Sequence, residues 1–180
     1  GIIKELKSAF KALDTEGKFL EWIALATPNK QLKDDDLIFF RSHGLKTLNL
    51  GLESGSNKVM RLMRKGFDRQ SASEALKRIH SSGINTQLNM IVGFPGENEE
   101  DFQETLDFLD EHYPYISGFT SVNTCIMLPG SDIYEQREAF GASLPSDKDP
   151  TKWTIGDQNT AEIREERLTR LIEWIINHGY

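Results

Sequence analysis

The chain alternates short aliphatic or β-branched runs with longer stretches in which apolar residues recur every three or four positions. Residues 2–13 carry Ile2, Leu6, Phe10 and Leu13 at i, i+4, i+8 and i+11, which predicts an amphipathic helix. Residues 19–25 read as a short aromatic-rich strand ended by Pro28-Asn29. A helix is predicted over 32–43, opened by Asp34, Asp35 and Asp36 and stopped by Gly44. Residues 47–51 form the next strand. Helical pattern then covers 57–64 and 71–82, interrupted at Gly66, with Asp68 placed to cap the second part. Gly83 ends it, and 84–92 is the most apolar strand. Asn98 is positioned to cap a helix running to about Glu111, whose acidic start suits the positive end of the helix. A fourth strand falls within 115–126 and is broken by Pro129-Gly130. Residues 132–140 predict a short helix, 141–158 a polar loop, and 161–177 a last amphipathic helix.

Strands therefore recur roughly every thirty residues with a helix in each gap. That is the βαβ pattern, and it implies an α/β fold of parallel strands joined by right-handed crossovers. About four such units make half of an eight-stranded barrel or a small open sheet. Such a sheet leaves two unpaired edges, so either the chain is a piece of something larger or a second copy covers an edge as a homo-oligomer. The 180 residues suffice for one sizeable core. The net charge of −7 argues against nonspecific binding of nucleic acid or anionic membrane, while leaving room for a small basic pocket. No apolar run is long enough to span a bilayer. The start, Gly1-Ile2-Ile3, has neither an initiator Met nor a signal-peptide pattern, which is expected of a trimmed or internal segment. The single cysteine, Cys125, excludes an intrachain disulfide and is compatible with a cytoplasmic protein.

Four polar segments fall at the carboxyl ends of the strands: Thr27-Pro28-Asn29, Glu53-Ser54-Gly55-Ser56, Gly93 through Glu97, and Leu128-Pro129-Gly130-Ser131. In parallel α/β folds that end of the sheet is where ligands bind. Ionised Glu53 accepts hydrogen bonds only and could hold an ammonium or a ribose diol; Lys65, or its neighbour Arg64, could meet a carboxylate. Asn89 shares a strand face with Gln87 and Ile91 and is either a buried hydrogen-bonding linker or a ligand contact. Plainer readings stand beside these. Glu53-Ser54 could be a helix N-cap, and Gly93-Phe94-Pro95-Gly96 only a tight turn. His43, His80, His112 and His178 all fall near helix C-termini, where the helix dipole accounts for them better than a metal does. Cys125, Met60, Met63, Trp153 and Trp174 read as packing residues.

The stretches Leu48-Asn49-Leu50-Gly51-Leu52-Glu53-Ser54-Gly55-Ser56, Val59-Met60-Arg61-Leu62-Met63-Arg64-Lys65-Gly66 and Asn89-Met90-Ile91-Val92-Gly93-Phe94-Pro95-Gly96-Glu97, in that order, resemble the radical S-adenosylmethionine (radical SAM) enzymes. The likeness is to the branch of cobalamin-dependent enzymes, tRNA methylthiotransferases and oxygen-independent coproporphyrinogen oxidases. Leu128-Pro129-Gly130-Ser131-Asp132-Ile133-Tyr134 resembles the segment after the sixth strand in that branch. The resemblance implies a partial TIM-like barrel over 1–140, strands three to six, with 141–180 packing on it. It also implies that Glu53 touches the methionyl or ribose part of SAM, Lys65 its carboxylate and Asn89 the ribose, with Gly93 through Glu97 near the adenine. Ser54 and Pro129 lie on the same rim. In such enzymes a reduced [4Fe–4S] cluster cleaves SAM to a 5′-deoxyadenosyl radical that abstracts hydrogen from substrate. Cobalamin belongs to part of the branch, and nothing in the chain points to it.

The departure from the family is that three cluster cysteines are missing: Cys125 alone cannot build the site. The Gly-Gly-Glu turn that holds the SAM amino group is also absent. The expectation is the later half of a radical SAM enzyme, an oxidoreductase or group-transfer type, inactive in isolation. The alternative is a noncatalytic βα module that binds a nucleotide or anion, or another protein.

Overall fold

A computed structural model describes residues 2–29, 31, 33–146 and 148–180. The elements follow in the order α1 (Ile2–Thr15), β1 (Trp22–Ala26), α2 (Asp34–Ser42), β2 (Leu45–Glu53), α3 (Asn57–Leu62), α4 (Arg69–Ser81), β3 (Asn85–Val92), α5 (Glu99–His112), a single 3₁₀ turn (Tyr113–Tyr115), β4 (Gly118–Thr124), α6 (Asp132–Glu135) and α7 (Ala161–Asn177). The four strands lie side by side in sequence order and every pairing is parallel. Among the described residues, no helix is long and apolar enough to cross a membrane.

Strand parity sorts the residues onto two faces. Leu48, Leu50 and Leu52 of β2 and Leu88, Met90 and Val92 of β3 are buried in the main core with Leu37, Leu76, Ile79, Phe102, Phe108 and Leu171 of the helices. The opposite face carries Thr47, Asn49 and Gly51 of β2 and Gln87, Asn89 and Ile91 of β3. Asn49 pairs in register with Gln87, Asn89 with Ser121, and Ile91 with Asn123. Among the described residues no helix covers this second face, and Leu25 of the edge strand β1 stays 81% exposed.

Local signals set the helix starts. The Asp68 carboxylate accepts from the Ser71 N–H, and Asn98 and Asp101 form a reciprocal capping box at α5. Thr160 caps α7. The structure differs from the sequence reading at several points. The face of α1 that turns inward is Ile3, Lys7 and Phe10, not the stripe through Ile2 and Leu6, because Phe10 stacks on Trp22 and turns those two outward. β1 begins at Trp22, leaving Phe19 and Leu20 exposed. Leu32, where α2 was expected to begin, lies outside the described residues. The helix expected over 132–140 is regular only to Glu135. Residues 141–158 are more than a loop: antiparallel bridges join Ser143 to Thr154 and Ile155 to Asn159. They carry Trp153, fully buried with Val59, Phe94, Cys125 and Met127 in a second small core.

Candidate functional site

At the carboxyl ends of β2, β3 and β4 a cleft of about 720 Å³ opens on the uncovered face. Its wall includes Glu53, Lys65, Asn89, Phe94, Ser121 and Cys125. A side chamber of about 360 Å³ shares Met63, Phe94 and Ile133 with it and adds Arg61 and Arg64.

Glu53 reaches the cleft through an irregular strand end. The register of β2 against β3 slips between Leu50 and Glu53, and Glu53 adopts a left-handed backbone (φ 68°). That conformation costs a non-glycine residue on the order of 1–2 kcal/mol, so the surroundings hold it there. Lys65 arrives from the other side. α3 ends in a Schellman-type stop: the Lys65 N–H donates to the Met60 carbonyl, and Arg64, not the usual glycine, takes the left-handed position (φ 54°). The chain reverses there, and Lys65 Nζ lies 3.2 Å from both Glu53 Oε1 and the Gly51 carbonyl. Gly51 matters to this contact: a Cβ there would stand 3.1 Å from Glu53 Oε1.

Asn89 sits below this pair, and its Oδ1 is shielded from solvent without a hydrogen-bond partner among the described residues. Asn49 Oδ1 is in the same condition. A polar atom buried in that state costs roughly 1–3 kcal/mol.

The third strand leads into the turn Phe94-Pro95-Gly96-Glu97, closed by the Glu97 N–H on the Phe94 carbonyl at 2.8 Å. Pro followed by Gly at φ 93° is the pattern of a type II turn. Just before it, Gly93 has φ 79°, and a Cβ there would lie 2.2 Å from Arg164 Cγ. Glu97 folds back beneath the turn, its Oε2 accepting from the Gly93 N–H at 2.5 Å. Burial pushes this carboxyl up to about 7, against the Gly93 hydrogen bond and the Arg167 guanidinium, which favour its charge.

Of the residues expected on the rim, Glu53, Lys65, Asn89 and Phe94 converge on the cleft. Gly93, Pro95 and Gly96 shape the turn that presents Phe94. Ser54 faces the other way: it is fully buried, with its Oγ 3.0 Å from Thr105 Oγ1. Gly55 lies against α5, where a Cβ would meet Phe108 Cβ at 2.6 Å. Pro129 is exposed beyond the cleft wall. Arg64 belongs to the side chamber, donating to Gln136 Oε1 at 3.2 Å. Cys125 is buried and its thiol is pushed up to about 12, so it is an inert packing group. His112 meets the carbonyl end of its own helix, through its Nδ1 and the Phe108 carbonyl. Burial lowers its pKa, and the ring bridges the Phe108 carbonyl and Ser73 Oγ.

Support for the turn comes from 151–167, which the sequence pattern marks only as polar loop and amphipathic helix. Asn159 Nδ2 donates to the carbonyls of Gly93 and Phe94 at 3.2 and 3.1 Å. Arg164 and Arg167 are buried on the inner face of α7 in line with Leu171. Two arginines on the stripe that otherwise carries Leu171 and Trp174 are the signal that could have found them.

A family profile described as the radical SAM superfamily matches residues 2–109. The chain is 34% identical over 127 residues to the tRNA-2-methylthio-N(6)-dimethylallyladenosine synthase of Desulforamulus reducens, covering 69% of this chain and 23% of that protein. It is 29% identical over 161 residues to the ribosomal protein uS12 methylthiotransferase RimO of Cytophaga hutchinsonii, covering 86% and 36%. The chain thus spans well under half the length of these relatives. Coproporphyrinogen III oxidase (HemN) from Escherichia coli superposes with a TM-score of 0.69 over 99% of this chain and 38% of that one, at 20% identity. That likeness establishes the fold: the four parallel strands are part of a TIM-like barrel of this kind.

Proposed function

Because the chain belongs to the radical SAM superfamily, we propose that its cleft holds SAM as one portion of a radical SAM catalytic domain. The convergence of Glu53, Lys65 and Asn89 carries this reading. Glu53 and Lys65 form an ion pair at the mouth of the cleft. The Lys65 ammonium can take the carboxylate of the methionyl end, and the Glu53 carboxylate can accept from the ribose diol. Asn89 lies on the cleft wall, where its carboxamide N–H can donate to a ribose hydroxyl oxygen. Phe94 and Ile91 supply an apolar wall for a heterocycle.

SAM bound to a reduced [4Fe–4S] cluster supplies a radical that abstracts hydrogen from a substrate. The residues of this chain do not fit that cluster. Its one thiol is buried against Trp153 and holds its proton. In the proposed reading the cluster ligands lie outside these residues, and the part played here is to orient the amino-acid and nucleoside ends of SAM. Without the cluster to chelate the methionyl group, binding to this chain alone is weak.

A titration with SAM followed by amide and side-chain NMR shifts tests the reading. Saturable shifts are expected at Glu53, Lys65, Asn89 and Phe94, weakened by Lys65→Ala through loss of the carboxylate partner. An unchanged spectrum at millimolar SAM would overturn it.

A further inference from the structure

We propose that Asn159 and Arg164 are positioning residues for the nucleoside side of the cleft: they fix the Gly93-Phe94 turn, and with it the aromatic wall that Phe94 presents. The proposal rests on reading the cleft as a SAM site. Phe94 lies on the wall shared by the cleft and its side chamber, so its placement sets the shape of both.

The contacts form a chain of command. Arg164 Nη1 donates to the carbonyl oxygen and the Oδ1 of Asn159, at 3.2 and 3.0 Å. With Oδ1 committed to the guanidinium, the Asn159 amide group can only point its Nδ2 outward, and there it meets both carbonyls of the turn. Arg164 Nη2 donates to the carbonyls of Thr151 and Trp153, and the guanidinium lies 3.8 Å over the Trp153 ring. Its aliphatic stem crosses the bare Cα of Gly93. Arg164 is 1% exposed. Among the described residues, none of its hydrogen bonds goes to a carboxylate.

A buried guanidinium held by carbonyl dipoles is a costly way to fill space, since an apolar side chain of similar volume often serves stability as well. What it does here that an apolar residue cannot is dictate the orientation of Asn159. The turn is gripped again from below, where Glu97 binds the Gly93 N–H and faces Arg167 of the same helix. The segment 151–167 thus holds the turn from both sides.

The test compares the native chain with Asn159→Ala and Arg164→Lys. Hydrogen exchange at the Gly93 and Glu97 amides reads the turn, and SAM-induced shifts at Phe94 and Lys65 read the site. In Asn159→Ala, exchange at both amides is expected to quicken about tenfold, as for a lost buried hydrogen bond. The SAM response at Phe94 should shrink while that at Lys65 persists. Arg164→Lys, which keeps a charge and loses the fork, should show the same split more mildly. Equal loss at Phe94 and Lys65, or unchanged exchange, or looser exchange with an unchanged Phe94 response would each overturn the positioning role. A native chain that shows no SAM response at all sinks the reading of the cleft, and this proposal with it. Should Asn159→Ala fail to fold, Arg164→Lys alone decides, by the same outcomes.

Discussion

Single side chains show how much here depends on one atom's surroundings. Glu97 is 3% exposed and lies under the turn with Arg167 on α7 and Asp101 and Glu99 on α5 around it. Its carboxyl is raised from 4.5 to about 7, chiefly by burial. The folded state therefore keeps a proton that the unfolded chain releases on passing 4.5. Stability contributed by this group is full below that value, falls as pH rises towards 7, and is flat above. The loss across that window is at most roughly 3 kcal/mol. Urea midpoints measured from pH 5 to 8 should decline for the native chain and decline less for Glu97→Gln, which cannot ionise. Parallel declines would show that another group is responsible. The sequence reads Glu97 through Asp101 as capping residues on a solvated face, and the structure corrects this by burying Glu97 and Asp101. Buried Arg167, which faces Glu97 at 3.6 Å, lies seventy positions away, and no local pattern reports that.

Among the elements, helix starts were the most legible feature, because a cap acts within three or four residues. Asn98 caps the start of α5 as the local pattern predicts, and the structure adds the return bond from Asp101, both at 2.9 Å. Replacing Asn98 by alanine should cost about 1 kcal/mol and lower the thermal midpoint without altering the folded far-UV spectrum. No change in midpoint would mean that packing alone holds the start of α5. Strand ends were less legible. Glu53 leaves β2 in a left-handed conformation after a slip in register, and neither feature is written in Leu50-Gly51-Leu52-Glu53. The polar segment 141–158 hid its role because its one strong signal, Trp153, is a single residue. What it packs on, Cys125 and Arg164, comes from distant parts of the chain.

At the scale of the whole molecule, one face of the sheet is sealed by helices and the other is open. The open face is carboxamide-rich, except along the edge strand β1, where Ile23 and Leu25 are 63% and 81% exposed. An apolar edge with unpaired backbone groups invites a second copy. Light scattering should therefore show mass rising with concentration, and Leu25→Lys should suppress it. A single monomeric mass at all concentrations would count against pairing through β1. The four strands superpose on part of HemN, of which this chain covers 38%.

The sequence by itself determined the element order, the parallel βα class, the family and four of the residues that meet in the cleft. These follow from short-range periodicity, capping chemistry and ordered motifs, all of which act over a few residues. Only the tertiary structure decided the rest. It turned Ser54 into the core, left Pro129 outside the wall, and gave Asn159 and Arg164 their hold on Gly93 and Phe94. The physical reason is that a hydrogen bond between positions some sixty-five residues apart depends on how helices pack on the sheet. That packing is a property of the whole core and leaves no periodic trace in either partner.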